Sequence, residues 1–248
     1  MNTPPSDLGY ITWKNWDEGD FGNVSKKSDV AFAQEMQRSG IHLDDRSTVL
    51  EVGFGNGAFA GWVRRRTRHY VGTESNTELV SRARHAEIEA YPATLALDTI
   101  PRTRPFDLIA MFDVLEHMEK AEILRTLTSA SRCLSPQGRI LVRVPSGDSP
   151  FSGHLMHGDL THKTHLGSYA FHQLAAVTGL EVISIRSAAY PIFGFGATAS
   201  IRRLVVVPAR KLLEMILRII YYANEPVILA PTQVAVFRLK NGSAMDGR

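Results

Sequence analysis

The sequence predicts an α/β fold built on a doubly wound, mostly parallel sheet, and three observations carry that expectation. A strand, a glycine-rich turn and a helix follow one another over residues 49–63. Strand-like apolar runs then alternate with helical periodicity as far as Pro145, an order that calls for right-handed crossovers between parallel strands. The run from Phe106 to Leu115 is nearly continuously apolar and closes in polar residues. A strand buried on both faces of a parallel sheet reads this way where it reaches the carboxyl edge. Size agrees, because 248 residues at 44% hydrophobic and 21% charged can bury a full core as one domain over 1–248.

The elements follow in order. Residues 1–27 hold Tyr10, Trp13, Trp16 and Phe21 among Lys14, Asp17, Glu18 and Asp20, with no sustained period. Such an aromatic segment must pack on something, either as a strap over an edge of the core or as a lid over a pocket. Ser28 reads as an N-cap, Asp29 as a first-turn acid and Gly40 as a C-cap, predicting a helix over 29–39. The first strand runs into Gly53, Gly55 and Gly57, and the helix after them carries Phe59, Trp62 and Val63. Glycine lets this backbone turn tightly and lets a ligand approach the main chain. His69–Thr73 is the second strand, ending at Glu74, and Ser75-x-x-Glu78 reads as a capping box opening a helix to about residue 90. Thr94–Asp98 is expected as the third strand and the run from Phe106 as the fourth. A helix with Ile123, Leu124, Leu127, Ala130 and Leu134 on one face then stops at Pro136 and Gly138, before a fifth strand over Arg139–Pro145. Strands six and seven are expected at Glu181–Ile185 and Gln233–Leu239.

A helical insertion separates those last two strands over 190–231. It carries Arg202, Arg203, Arg210, Lys211 and Arg218 against Glu214, and its helix has a wide apolar arc through Leu212, Leu213, Met215, Ile216, Leu217, Ile219 and Ile220. That arc must be covered by the core, by a second copy in a homodimer, or by an anionic bilayer surface. Glu225, Pro226 and the charges argue against a membrane span. The net charge of +3 is too small to argue for a nucleic-acid partner. Pro4 and Pro5 stand in a polar N-terminus without an apolar signal core, so a cytoplasmic protein is expected, with peripheral contact at the inner face of the membrane as one reading of the insertion. The lone Cys133 reads as a buried structural thiol, and the tail over 241–248 as loose.

The glycine turn has the form Glu51-x-Gly53-x-Gly55-x-Gly57, which differs from the G-x-G-x-x-G of dinucleotide sites. It resembles motif I of the class I S-adenosylmethionine-dependent methyltransferases. The close of the fourth strand, Asp113-Val114-Leu115-Glu116-His117, resembles their motif IV. Gly158-Asp159-Leu160-Thr161-His162, with the helix over 168–178 and Gly179–Ile183, resembles the late segment of bacterial methyltransferases that modify cell-surface glycans. The resemblance implies a Rossmann-like seven-stranded sheet with an antiparallel last strand, and S-adenosyl-L-methionine as cofactor. It implies cofactor contacts from Glu51, Gly53, Phe54, Gly55, Asn56, Gly57, Ser75 and Asp113, and from Asp98 toward the adenine amino group. Glu74, 17 positions after Gly57, is the carboxylate expected to accept hydrogen bonds from both ribose hydroxyls.

The methyl group of a sulfonium is already activated, so the protein must hold an acceptor oxygen in line with the methyl–sulfur bond and exclude water. Four of the nine histidines, His154, His157, His162 and His165, fall within twelve residues after the fifth strand. They read as a polar capping loop, as a source of a general base, or, for His157, His162 and His165, as a metal set with Asp159. The last lacks cysteine and a second ligand block, so no metal is expected. His117, His162 and His165 are the candidate bases, since a pKa near 6.5 suits proton removal. The expected reaction is methyl transfer to a sugar hydroxyl, or a phosphate, of a cell-surface polysaccharide or glycolipid precursor. A small aromatic or quinone-type acceptor, suited by Trp13 and Trp16, and a non-catalytic cofactor-binding module are the alternatives.

Overall fold

The structure is a computed structural model that describes residues 9–16, 18–223 and 227–240. The expectations placed on Pro4, Pro5, Asp17, Glu225, Pro226 and the 241–248 tail lie outside the described residues, as do those on the side chains of Tyr10 and Glu18. The described chain opens with α1 (Tyr10–Trp13) and a 3-10 turn at Glu18–Asp20, then α2 (Lys26–Arg38). The cap of α2 is Ser25, whose Oγ accepts the Ser28 N–H at 3.0 Å. Ser28 is therefore the third helical residue rather than the cap, and the helix starts three residues earlier than expected.

Five alternations follow. They are β1 (Thr48–Val52), α3 (Ala58–Arg64), β2 (His69–Glu74), α4 (Thr77–His85), β3 (Ala90–Pro92), a 3-10 turn (Leu97–Thr99), β4 (Phe106–Phe112), a 3-10 turn (Leu115–His117), α5 (Lys120–Cys133) and β5 (Leu134–Pro145). The chain closes with α6 (Gly153–Met156), α7 (Ser168–Thr178), β6 (Leu180–Ser187), α8 (Ala197–Tyr221) and β7 (Thr232–Leu239). The seven strands form one sheet in the order β3-β2-β1-β4-β5-β7-β6. The first five pair in parallel, and β7 inserts antiparallel between β5 and β6.

Burial explains the sequence pattern. All five residues of β1 are buried, with Leu50 and Val52 facing the α5 and α7 side and Val49 the α2, α3 and α4 side. Both faces of the sheet are thus covered, which is why β4 reads as a continuous apolar run. Cys133 is buried in the first layer, and loss of solvent pushes its thiol up to about 11.

Three further expectations on elements are corrected. The third strand lies at Ala90–Pro92, not Thr94–Asp98. Ala90, Tyr91 and Pro92 pair with Gly72, Thr73 and Glu74, and Pro92 is tolerated because β3 is the sheet edge. Leu97–Thr99 is instead a turn pinned to α5 by the Asp98 N–H on Ser129 Oγ at 3.0 Å. The cap of α4 is Asn76, whose Oδ1 accepts from Glu78 N and Leu79 N, while the Ser75 hydroxyl points back to donate to Glu74. That helix ends at His85 so that the chain can reach β3. The fifth strand begins at Leu134, and Pro136 and Gly138 mark an irregularity in its pairing, where Phe106 meets Leu134 but Leu108 meets Arg139.

In the insertion one of the three alternatives falls away. None of the 25 residues of α8 is buried, so its apolar arc is not covered by the chain's own core. Among the described residues no helix is long and apolar enough to cross a membrane.

Candidate active site

The site gathers where β1, β2, β4 and β5 present their carboxyl ends. At the end of β1 the chain takes positive φ at Gly53 (72°) and Gly55 (54°). A side chain on Gly53 would strike Val114 Cγ2 at 2.4 Å, and one on Gly55 would strike the Trp16 ring at 2.9 Å. Both positions therefore demand glycine for conformation and for space. Gly57 serves as the N-cap of α3.

Glu74 ties this turn to the end of β2. Its Oε2 accepts the Gly55 N–H at 3.0 Å, and its Oε1 accepts Ser75 N at 2.7 Å, Ser75 Oγ at 3.0 Å and Asn76 N at 3.1 Å. Glu51 lies beneath the turn, 3% exposed, and accepts the Tyr70 hydroxyl at 2.6 Å. Burial pushes its carboxyl up to about 8, the hydrogen bond from Tyr70 opposes this, and the charge of Glu74 adds to the rise. Phe54 is buried against Gly72 and the edge of Phe21. Asn56 gives its carbonyl to Gly22 N at 2.8 Å.

The N-terminal segment lies across this turn. Trp16 faces Gly55, Phe21 faces Gly57, and the Gly22 carbonyl packs on Gly61 of α3. Arg82 of α4 donates to the Trp16 carbonyl at 3.1 Å, and Lys14 reaches Asp159 at 3.6 Å. The strap thereby spans from the glycine turn to the histidine loop.

Two further expected cofactor carboxylates are engaged by the protein. Asp113, at φ 57°, pairs with Arg143 through a two-pronged contact with one arm at 3.1 Å. Asp98 accepts from Ser129 Oγ at 2.5 Å and from Arg132 at 3.3 Å, and those bonds hold its carboxyl below the ordinary range.

The loop after β5 folds back on the motif after β4. The Glu116 carbonyl accepts Lys163 N and Thr164 N at 2.7 and 3.1 Å, and Thr164 Oγ1 donates to the Met118 carbonyl. These bonds bring His117 and His162 together, their ring centroids 4.5 Å apart. Thr161 Oγ1 gives its one hydrogen to Asp159 Oδ1 at 2.5 Å and lies 2.8 Å from His117 Nδ1. The ring must then donate from Nδ1, which leaves the lone pair of neutral His117 on Nε2. Desolvation first, then the neighbouring His162, lowers the His117 pKa. Burial opposes ionisation of Asp159, but the hydrogen bonds from Thr161 outweigh it and hold the carboxyl low. Glu116 is 1% exposed, and burial together with the Asp113 charge pushes it up to about 8.

His165 is set apart from this cluster. It is exposed and packs on His157 with ring centroids 5.4 Å apart. The set His157, Asp159, His162 and His165 is likewise not assembled. Among the described residues the one metal-capable group is Glu116, His117 and His162. Sequence reasoning passed over Glu116 and Thr161 as site residues. The first was legible inside Asp-Val-Leu-Glu-His, whereas Thr161 acts through a contact spanning 44 positions.

Residues 26–185 match the family model described as "Methyltransferase domain". The chain belongs to this methyltransferase family. It is an S-adenosylmethionine-dependent methyltransferase, with S-adenosyl-L-methionine as cofactor. The methyltransferase is similar to a solved SAM-dependent methyltransferase from Archaeoglobus fulgidus, at 16% identity and a TM-score of 0.62, covering 94% of this chain and 100% of that one. It is similar to the putative methyltransferase solved with the Trm112 activator of Haloferax volcanii, at 15% identity and a TM-score of 0.59, covering 94% and 97%. It is also similar to the mitomycin 7-O-methyltransferase MmcR, at 13% identity and a TM-score of 0.55, covering 95% of this chain and 64% of that one. At such identities the likeness speaks for the fold. No protein with a curated description matches the sequence.

Proposed function

We propose that this methyltransferase methylates an oxygen of a sugar, a hydroxyl or a phosphate, in a cell-surface polysaccharide or glycolipid precursor. The observation that carries this reading is the polar cluster of His117, Asp159, Thr161 and His162 at the sheet edge beyond β4 and β5. It offers several hydrogen-bonding groups to a molecule dense in hydroxyls. In the reaction the acceptor oxygen attacks the methyl carbon and the carbon–sulfur bond breaks. Its electron pair stays on sulfur, and S-adenosylhomocysteine leaves. The lone pairs of His117 and His162 draw the hydroxyl proton away as attack proceeds. Glu74 takes the ribose hydroxyls, and the main chain at Gly53–Gly57 takes the rest of the cofactor's close approach, with Trp16 and Phe21 in the strap closing over it.

An acceptor screen with methyl-labelled cofactor tests the reading. Label is expected in saccharide or glycolipid acceptors, with transfer falling about 10²-fold or more in His117→Ala. Transfer to a phenolic quinone precursor and to no saccharide would overturn it.

The exposed helix α8 fits an acceptor carried on lipid. Ile201, Val205, Ile219 and Ile220 are all exposed, and Arg202, Arg210 and Lys211 outnumber Glu214. An apolar face beside basic side chains suits an anionic bilayer surface. The protein is expected to co-sediment with phosphatidylglycerol vesicles and to be released as salt rises, because the attraction is screened beyond about 8–10 Å. A salt-insensitive dimer that leaves vesicles unbound would assign α8 to a second copy instead.

A further inference from the structure

We propose that Glu116, His117 and His162 form a site for a divalent first-row transition ion, with an open coordination position that takes an oxygen of the acceptor. One ligand atom from each of the three lies within 4.8 Å of the other two. Bonds of about 2.0–2.2 Å in tetrahedral geometry place ligand atoms about 3.3–3.6 Å apart, so side-chain rotations that move the ligand atoms by about 1 Å close the set.

The unpaired atoms are the second, independent observation. Glu116 Oε2 and His162 Nδ1 are buried and have no hydrogen-bond partner. Glu116 is 1% exposed and the His162 side chain 9%. A buried acceptor left unpaired costs about 1–3 kcal/mol, and here two such atoms belong to groups that converge. A cation bound between them would satisfy both at once.

The surroundings are those of a ligand shell. Thr161 orients His117 through Nδ1, so that Nε2 carries its lone pair, and Asp159 in turn orients Thr161. Metal-bound imidazoles commonly have their second nitrogen held by just such a partner. Asp159 lies 4.0 Å from His162 Nε2 and contributes negative charge beside the ion. Two imidazoles and one carboxylate favour zinc, iron, manganese or cobalt over magnesium or calcium, which take oxygen ligands. Three protein ligands leave room for one exogenous oxygen, and an ion there polarises a hydroxyl directly.

This role rests on the oxygen-acceptor reading above and refines it: His117 and His162 act as ligands, and the acceptor's proton leaves to water. The histidine cluster lies on the motif after β4, whose Val114 packs against Gly53 of the glycine turn, and on the loop after β5.

Binding is measured without any turnover. Zinc chloride is titrated into the full chain by calorimetry, and cobalt(II) is followed by its visible ligand-field absorption. One ion per chain and a cobalt spectrum of low-symmetry coordination are expected. His162→Ala and Glu116→Gln should each weaken binding at least about 10-fold, and Thr161→Val about 10–100-fold through the orientation of His117. His154→Ala, a surface histidine outside the set, should bind as the parent does. Retained S-adenosylmethionine binding and a cooperative thermal melt certify that each variant is folded. Thr161→Val serves where a ligand variant does not fold. The absence of a cobalt spectrum, or zinc affinity unchanged in folded His162→Ala and Thr161→Val, would overturn the site. Full methyl transfer in chelated protein would also overturn it, while leaving the sugar-methylation reading with His117 and His162 as proton acceptors.

Discussion

Glu74→Ala is expected to weaken S-adenosylmethionine binding by at least about 10²-fold, read as the dissociation constant by titration calorimetry. Two losses combine. In the proposed role the carboxylate receives the ribose hydroxyls, and hydrogen bonds to a charged group are each worth about 1.5–3 kcal/mol. The Gly55 N–H also loses its acceptor, which frees the glycine turn. Glu74→Gln separates the two. The amide oxygen can still take the Gly55 N–H, but the neutral group cannot serve as a charged acceptor for two hydroxyls. It should fall between the parent and the alanine variant. An affinity for the cofactor unchanged in Glu74→Ala would remove Glu74 from the binding site and leave it a role in holding the turn.

What the sequence made legible was local. The glycine turn and its acid, the buried runs of β1 and β4, and the α7–β6 boundary at Gly179 each depend on residues within a few positions of one another. A short pattern is enough to specify them. β3 escaped because it is a three-residue edge strand closing on Pro92, and neither its length nor its composition resembles a core strand. Ser75 was misread because its hydroxyl answers to Glu74, one residue back, and not to the helix after it. The histidine pocket was legible only in part. The loop announced itself by composition, but which histidines meet depends on Lys163 and Thr164 bonding to Glu116, a contact that no period encodes. His165 stands outside it for the same reason, its ring turned to His157. The strap's place over the turn was also beyond reading, since Trp16 and Phe21 find Gly55 and Gly57 through the space those glycines leave.

Glu51→Gln is expected to remove a pH dependence of stability that the parent carries. Glu51 is buried and accepts a hydrogen bond from Tyr70 at 2.6 Å, and its carboxyl is raised from about 4.5 to about 8 in the folded chain. Between those limits the folded state holds a proton that the unfolded state has lost. The stability due to this group is therefore fully present below about pH 4.5 and is lost as the pH rises through about 8. One proton corresponds to a slope of about 1.4 kcal/mol per pH unit, or about 3–5 °C in Tm for a chain of this size. Glutamine keeps an acceptor for Tyr70 and never ionises, so the variant should gain on the parent steadily from about pH 5 to about pH 8. Thermal melts of both proteins across that range measure the gap. A gap that does not change with pH would mean that Glu51 stays ionised under the glycine turn. In that case its charge, and not its proton, would face the glycine turn.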